Sequence, residues 1–195
     1  MKLYLIRHGQ STANAERRIH NFKDPLSEKG IEQAKAVGKY LEGIRFDKVY
    51  SSDMDRALMM AQYAMPGVTP VSDPLLREIN VGELVGKTPE ECIDKYGMSF
   101  RRDRLIRDYT GYGGENEQML MARVRVFLAK AEECGMETVA AFTHGGFINA
   151  TLEALFGVNV VTSQMMICEN AMIAIFEFSD RCWRLHSWNI NNANG

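Results

Sequence analysis

Two histidines in this chain stand directly before glycine, in Arg7-His8-Gly9 and in Thr143-His144-Gly145-Gly146. Each pair follows a short apolar run, KLYLI (2–6) in the first case and TVAAF (138–142) in the second. A neutral imidazole has an ordinary pKa near ~6.5, so its lone pair is available to attack an electrophile near neutrality. Arg7 is the neighbour of His8, and Arg56 lies one turn beyond Ser51-Ser52, which closes another apolar run. A guanidinium grips phosphate oxygens two at a time, and glycine lets the backbone come close to a ligand. Two histidines and two arginines so placed suit a compact multivalent anion, with phosphate the leading candidate. Taken singly, each of these residues reads as a solvated or ion-paired side chain. The repeated His-Gly step after a strand is what raises the functional reading. Neither His8 nor His144 has the HxH, HxxxH or nearby cysteine partner that a metal site would want, so no metal is expected.

The elements that must position these residues are readable from periodicity. Residues 2–6 predict a buried parallel strand ending in a loop at Arg7. Asp24-Pro25-Leu26-Ser27 opens a helix, with Ser27 as N-cap and Ile31, Ala34, Val37 and Leu41 on one face. Phe46–Tyr50 predicts a second strand. Asp53 is placed to cap the next helix, which carries Ala57, Met60, Ala61 and Ala64 until Pro66 ends it. The region 73–115 is glycine-rich and irregular, with short helices expected near 88–96 and 99–108. Asn116–Cys134 has a long helical pattern, 138–142 a third strand, and a further helix runs to about Phe156. The segments 172–178 and 182–188 form a hairpin through Ser179-Asp180-Arg181, and the tail NINNANG reads as a frayed end. The alternation of strands and helices predicts a single α/β domain over 1–195. Its mostly parallel central sheet is flanked by helices and has an edge hairpin at the C-terminus. Ligands of such sheets bind outside the carboxyl ends of the strands, which puts His8 and His144 on the functional edge.

Composition narrows the class. The chain has 195 residues, a net charge of -2 and a pI of about 6.1, without the basic excess of a nucleic-acid binder. The apolar start MKLYLI is too short for a signal peptide or a membrane span, so a cytoplasmic protein without membrane contact is expected. Cys92, Cys134, Cys168 and Cys182 share no CxxC spacing and read as reduced, mostly buried thiols. The methionine clusters around 54–65, 119–121 and 165–166 read as core and pocket filler, and Arg101, Arg102, Arg104 and Arg107 as a solvated helix face or as cations that steer an anionic substrate towards the cleft. The edge of the last hairpin could serve a homodimer.

The segment LIRHGQSTAN (5–14) resembles the signature of the histidine phosphatase superfamily, the phosphoglycerate mutase-like group. Further matches follow in the family's order: DPLSEKGIEQA (24–34), SSDMDRALMMAQ (51–62), LREINVGELVGKT (76–88), GGENEQMLMARVRVFL (113–128) and THGGFI (143–148). Each is weak alone, but the ordered set spans nearly the whole chain. The resemblance implies one phosphoglycerate mutase-like α/β domain, with an insert around 83–115 that shapes a substrate pocket. It implies a small phosphorylated substrate, no cofactor and a phosphohistidine intermediate on His8. Arg7, Arg56 and His144 would hold the phosphoryl oxygens together with Gly145, Asn14 would help to hold the phosphate or the loop, and Glu78 would donate the proton to the leaving group. Two positions depart from the family pattern. His20 stands where a pocket glutamine is common, as an exposed loop residue or a substrate-facing donor, and Asn116 replaces a usual serine while still able to cap a helix. Hydrolysis is the favoured activity. A cofactor-dependent phosphoglycerate mutase and a non-catalytic module that binds phosphorylated ligands are the alternatives.

Overall fold

A computed structural model describes residues 1–133 and 135–190. Its strands are β1 (Lys2–Arg7), β2 (Lys48–Ser51), β3 (Val71–Ser72), β4 (Thr138–Thr143), β5 (Ile173–Ser179) and β6 (Cys182–Ile190). They form one sheet in the order β3-β2-β4-β1-β5-β6. The first four strands run parallel to their neighbours, while β5 is antiparallel to β1 and β6 to β5. The expected edge hairpin is therefore present, and its outer strand, β6, is one edge of the sheet.

Alternation along the strands sorts the core into two layers. Leu3 and Leu5 of β1 with Val139 and Ala141 of β4 face α6 (Glu117–Glu133) and α7 (Gly145–Phe156). Tyr4 and Ile6 with Ala140 and Phe142 face α2 (Glu28–Leu41) and α3 (Asp55–Ala64). Strands buried on both faces must be apolar throughout, and this is why both runs lack polar alternation. Short helices complete the chain: α1 (Thr12–Ala15), α4 (Pro89–Tyr96), α5 (Met98–Ile106) and α8 (Val160–Met165). Leu84, Cys92, Phe100, Tyr109 and Tyr112 form a third, smaller cluster around α4 and α5. Among the described residues no helix is long and apolar enough to cross a membrane.

Local chemistry fixes the element ends. Ser27 Oγ accepts the Gly30 amide (3.2 Å) and caps α2 as the pattern predicts. Asn116 Oδ1 does the same for α6 through Met119 (3.0 Å). Gly30 is required because a side chain there would run into the carbonyl of Gln10, in the loop after β1. Other expectations are corrected. Phe46 lies outside β2 and packs edge-on against Tyr4 at 5.2 Å, because Asp47 turns its carboxylate onto the Glu137 and Thr138 amides (both 2.9 Å). Asp53 does not cap α3, whose N-cap is Met54; its carboxylate pairs with Arg77 instead. Asn189 and Ile190 of the tail extend β6, Ile190 pairing with Ile173, while 191–195 lie outside the described residues. Cys92 is buried, but Cys182 is exposed at the start of the edge strand, and Cys134 lies outside the described residues. Met165 is 79% exposed rather than core.

Candidate active site

The strand order creates the site. β4 lies between β1 and β2, so the carboxyl ends of three neighbouring parallel strands converge. Arg7 pairs with Thr143 across the β1–β4 ladder, and the His8 amide donates to the Thr143 carbonyl (3.0 Å). This register places the two histidines side by side, with ring centroids 5.2 Å apart. Ser52, just beyond β2, supplies an Oγ at 2.9 Å from His144 Nε2. Both histidines are deeply buried, at 2% and 0% exposure.

Hydrogen bonds decide which nitrogen of His8 carries the lone pair. Nδ1 stands 2.7 Å from the Gly9 carbonyl, which can only accept, so Nδ1 holds the proton. Nε2 stands 3.2 Å from Arg56 Nε, which can only donate, so Nε2 carries the lone pair. Burial, reinforced by the Arg56 and Arg7 cations, pushes the His8 pKa well below its ordinary value, and the ring is neutral near neutral pH. His144 is pushed down in the same way by burial, Arg56 and His8. Arg56 is fully buried, and desolvation lowers its pKa to about 10, which still leaves it charged. Its other nitrogens donate to the Asn21 carbonyl (2.9 Å) and to Met54 Sδ (3.4 Å).

The remaining predicted residues ring this centre. His20 is a pocket residue: its ring lies 5.6 Å from that of His8, Nε2 stands 2.8 Å from Ser11 Oγ, and burial lowers its pKa to about 3. Arg7 donates through Nη1 to the Cys168 carbonyl and rests against Gly145, while its Nε is buried without a partner among the described residues. Glu78 Oε2 accepts the Gly146 amide (3.1 Å), at the start of α7, and Oε1 accepts the Ile79 amide (3.0 Å). Asn14 Oδ1 takes the Ser11 amide (3.1 Å) and Asn170 Nδ2 (3.2 Å), so this residue braces the loop after His8.

Two adjoining cavities open onto the centre and share Glu78, Ile79, Arg104 and Tyr109. One, of about 500 Å³, is lined by Asn14, His20, Arg56 and the apolar Ile19, Val81 and Phe100. The other, of about 470 Å³, adjoins Arg7, Gly145 and Gly146. Among the described residues no group of three or more His, Cys, Asp or Glu could hold a metal ion.

Sequence reasoning missed several contributors. Ser52 was legible only as a polar residue ending a strand. Asn170 donates to the His8 and Gly9 carbonyls (both 3.3 Å), yet nothing in its surroundings in the chain marks it. Arg123 was hidden in a helix, although its guanidinium holds the Leu75 (2.7 Å), Arg77 (3.1 Å) and Glu78 (3.3 Å) carbonyls and the Glu115 carboxylate (2.9 Å). The arginine cluster is not one solvated face. Arg101 and Arg102 are exposed, and Arg104 lines both cavities. Arg107 is buried among Glu117 (2.9 Å), Glu153 (3.3 Å) and Ser163 (3.4 Å).

Comparison with known proteins adds a family. A sequence model of the histidine phosphatase superfamily (branch 1) matches residues 3–191. A relative described as probable phosphoglycerate mutase GpmB of Salmonella paratyphi A is 27% identical, covering 99% of this chain and 92% of its own. The structure of Bacillus stearothermophilus YhfR superposes with a TM-score of 0.90 at 26% identity, covering 98% of both chains. A mycobacterial glucosyl-3-phosphoglycerate phosphatase, solved with VO3, gives a TM-score of 0.86 at 27% identity over 96% of this chain and 98% of its own.

Proposed function

Because the chain belongs to the histidine phosphatase superfamily, we propose that it is a phosphatase that hydrolyses a small phosphomonoester through a phosphohistidine on His8. The observation that carries this reading is the His8 imidazole: neutral, fixed in one tautomer, with its Nε2 lone pair beside a buried guanidinium. An arriving phosphoryl group draws Arg56 from Nε2 onto its own oxygens and so uncovers the nucleophile. Arg7, through its unpartnered Nε, and His144, through Nδ1, supply further donors to the charge that builds on those oxygens. Nε2 then bonds to phosphorus as the ester P–O bond breaks, and Glu78 in its acid form gives its proton to the departing alkoxide. The Glu78 carboxylate next takes a proton from water while that water attacks the phosphohistidine. Inorganic phosphate leaves, and both residues return to their starting states. Asn14 and Gly145 act by shaping the loop and the helix start, and His20 by facing the phosphate from the pocket wall.

Hydrolysis is favoured over a mutase reaction by the room around the centre. Cavities of about 500 and 470 Å³ fall in the range that accepts ligands much larger than a three-carbon acid. Turnover of a panel of phosphoesters, with isomerisation of 3-phosphoglycerate followed in the same samples, tests the reading. We expect phosphate release that drops at least about a thousandfold in His8→Ala. Isomerisation without release would make the protein a mutase, and binding without turnover would leave a phospho-ligand module.

A further inference from the structure

His20 enters the cavity of about 500 Å³ from the loop after α1, and its ring meets that of His8 edge-on at 5.6 Å. Its two nitrogens have different surroundings. Nε2 stands 2.8 Å from Ser11 Oγ. That hydroxyl accepts the Asn14 amide (3.1 Å) and gives its one hydrogen to Asn14 Oδ1 (3.1 Å). The Ser11 amide and Asn170 Nδ2 also donate to Oδ1, which fixes it as the oxygen of the Asn14 side chain. Ser11 Oγ is left with a lone pair for His20, so Nε2 carries the ring hydrogen and Nδ1 the lone pair. His20 Nδ1 makes no hydrogen bond among the described residues and, unlike the sealed Nδ1 of His144, is open to the cavity.

A neutral ring in this tautomer presents an acceptor to an anion whose oxygens also accept. One proton on Nδ1 turns that repulsion into a charge-assisted hydrogen bond. The empty site refuses the proton. Burial lowers the His20 pKa to about 3, and Arg56, Arg7 and Arg18 oppose a charge there while Asp24 favours it. His8 is neutral beside it, and Arg17, Arg104 and Glu78 are the other charged groups on the cavity wall. A dianion seated among these arginines offsets the field that keeps the ring neutral.

We propose that His20 takes up a proton on Nδ1 when a phosphoryl group binds, so that it is a phosphate ligand only in the occupied site and binding tightens as the medium is acidified. The proposal rests on the phosphatase reading above and gives its anion site a response to pH. The glutamine common at this position in the family would donate at every pH, whereas histidine makes the donor conditional. One proton taken up on binding raises affinity by up to about tenfold for each pH unit lowered, between the pKa values of the occupied and the empty site.

Sulfate is the probe, because it stays a dianion throughout this range and cannot supply the proton itself. Calorimetric titration at about pH 6, in buffers of different ionisation enthalpy, counts the protons taken up. The native protein is expected to take up about half a proton or more per sulfate beyond what His20→Gln takes up. The ring C–H resonances of His20, followed by NMR on the native protein, need no variant. They are expected to shift towards the protonated position on acidification with sulfate bound, and to stay at the neutral position without it. Equal uptake in both proteins, or a His20 signal that sulfate leaves at its neutral position, would overturn the proposal; Ser11 would then donate to Nε2, and Nδ1 would already be a donor. Binding of inorganic phosphate but not of sulfate would put the proton on the ligand and overturn it as well. Binding of neither anion would remove the anion site, and the phosphatase reading with it.

Discussion

Gly146 shows how a single hydrogen atom in place of a side chain places the candidate acid. Its amide holds Glu78 Oε2, and a methyl group on its Cα would occupy the space of Glu78 Oε1. The obstacle is the end of a flexible side chain, so the fold can absorb the methyl by rotating the carboxylate away. Gly146→Ala is therefore expected to lower kcat by about tenfold to a hundredfold, since misplacing a reacting group by an ångström has that effect. Stability should stay close to native because the backbone there lies outside the left-handed region. Steady-state kinetics beside urea unfolding would check this, and a variant of native kcat would detach Glu78 from the chemistry. At this scale the sequence was most informative where chemistry is bound to a motif. His8, Arg56 and His144 come together as their motifs imply, and His20, for which an exposed loop was the other reading, joins them, whereas Ser52 and Asn170 reach the site only through folding and carry no local signature.

Elements differ in how far their own residues dictate them. α2 and α6 were readable because cap and apolar stripe agree, and β1 and β4 because burial on both faces leaves unbroken apolar runs. α8 was not readable, since its VVTSQM sequence is rich in β-branched residues and only the Asn159 cap (2.9 Å to the Thr162 amide) marks its start. Nor was β3, whose two residues depend on pairing with β2. The segment bearing Glu78 has no regular structure to predict, and it is held from outside by Arg123 of α6. Glu115 completes that hold by exchanging two hydrogen bonds with the Asn80 backbone (2.7 and 2.8 Å). Arg123→Met should free this segment and lower kcat about tenfold or more while KM moves less, with Arg123→Lys recovering part of the loss. Equal proportional changes in kcat for both variants and for a remote α6 substitution such as Val126→Ala would reduce Arg123 to a stability role. Arg107 tells the same story for α5: charge at helical spacing suggested a wet face, but the left-handed turn at Arg107 (φ 49°) sends it inward to two glutamates. Burial there pushes the Glu117 pKa up to about 8.

For the molecule as a whole, three of the four histidines are held neutral in the fold, which makes its stability depend on pH. Below about pH 6.5 the unfolded chain takes up protons that His8, His20 and His144 refuse. Stability on this account is full above that pH and falls as the medium is acidified, by up to about 1.4 kcal/mol per pH unit for each histidine. The urea midpoint should therefore drop between pH 6.5 and 5, and less steeply in His20→Gln, because His20 stays neutral down to about pH 3. A flat native profile over that interval would contradict the electrostatic picture of the site.

The place of β4 between β1 and β2 has a consequence for how the protein is made. A ribosome delivers β1 and β2 long before β4, so during most of synthesis the first two strands have no partner lying between them. His8, the proposed nucleophile, precedes β2 and β4 in the chain, and the pocket around it cannot assemble until Thr143 has left the exit tunnel. On the proposed mechanism, reactivity at His8 is thus withheld from the nascent chain until the last parallel strand has emerged.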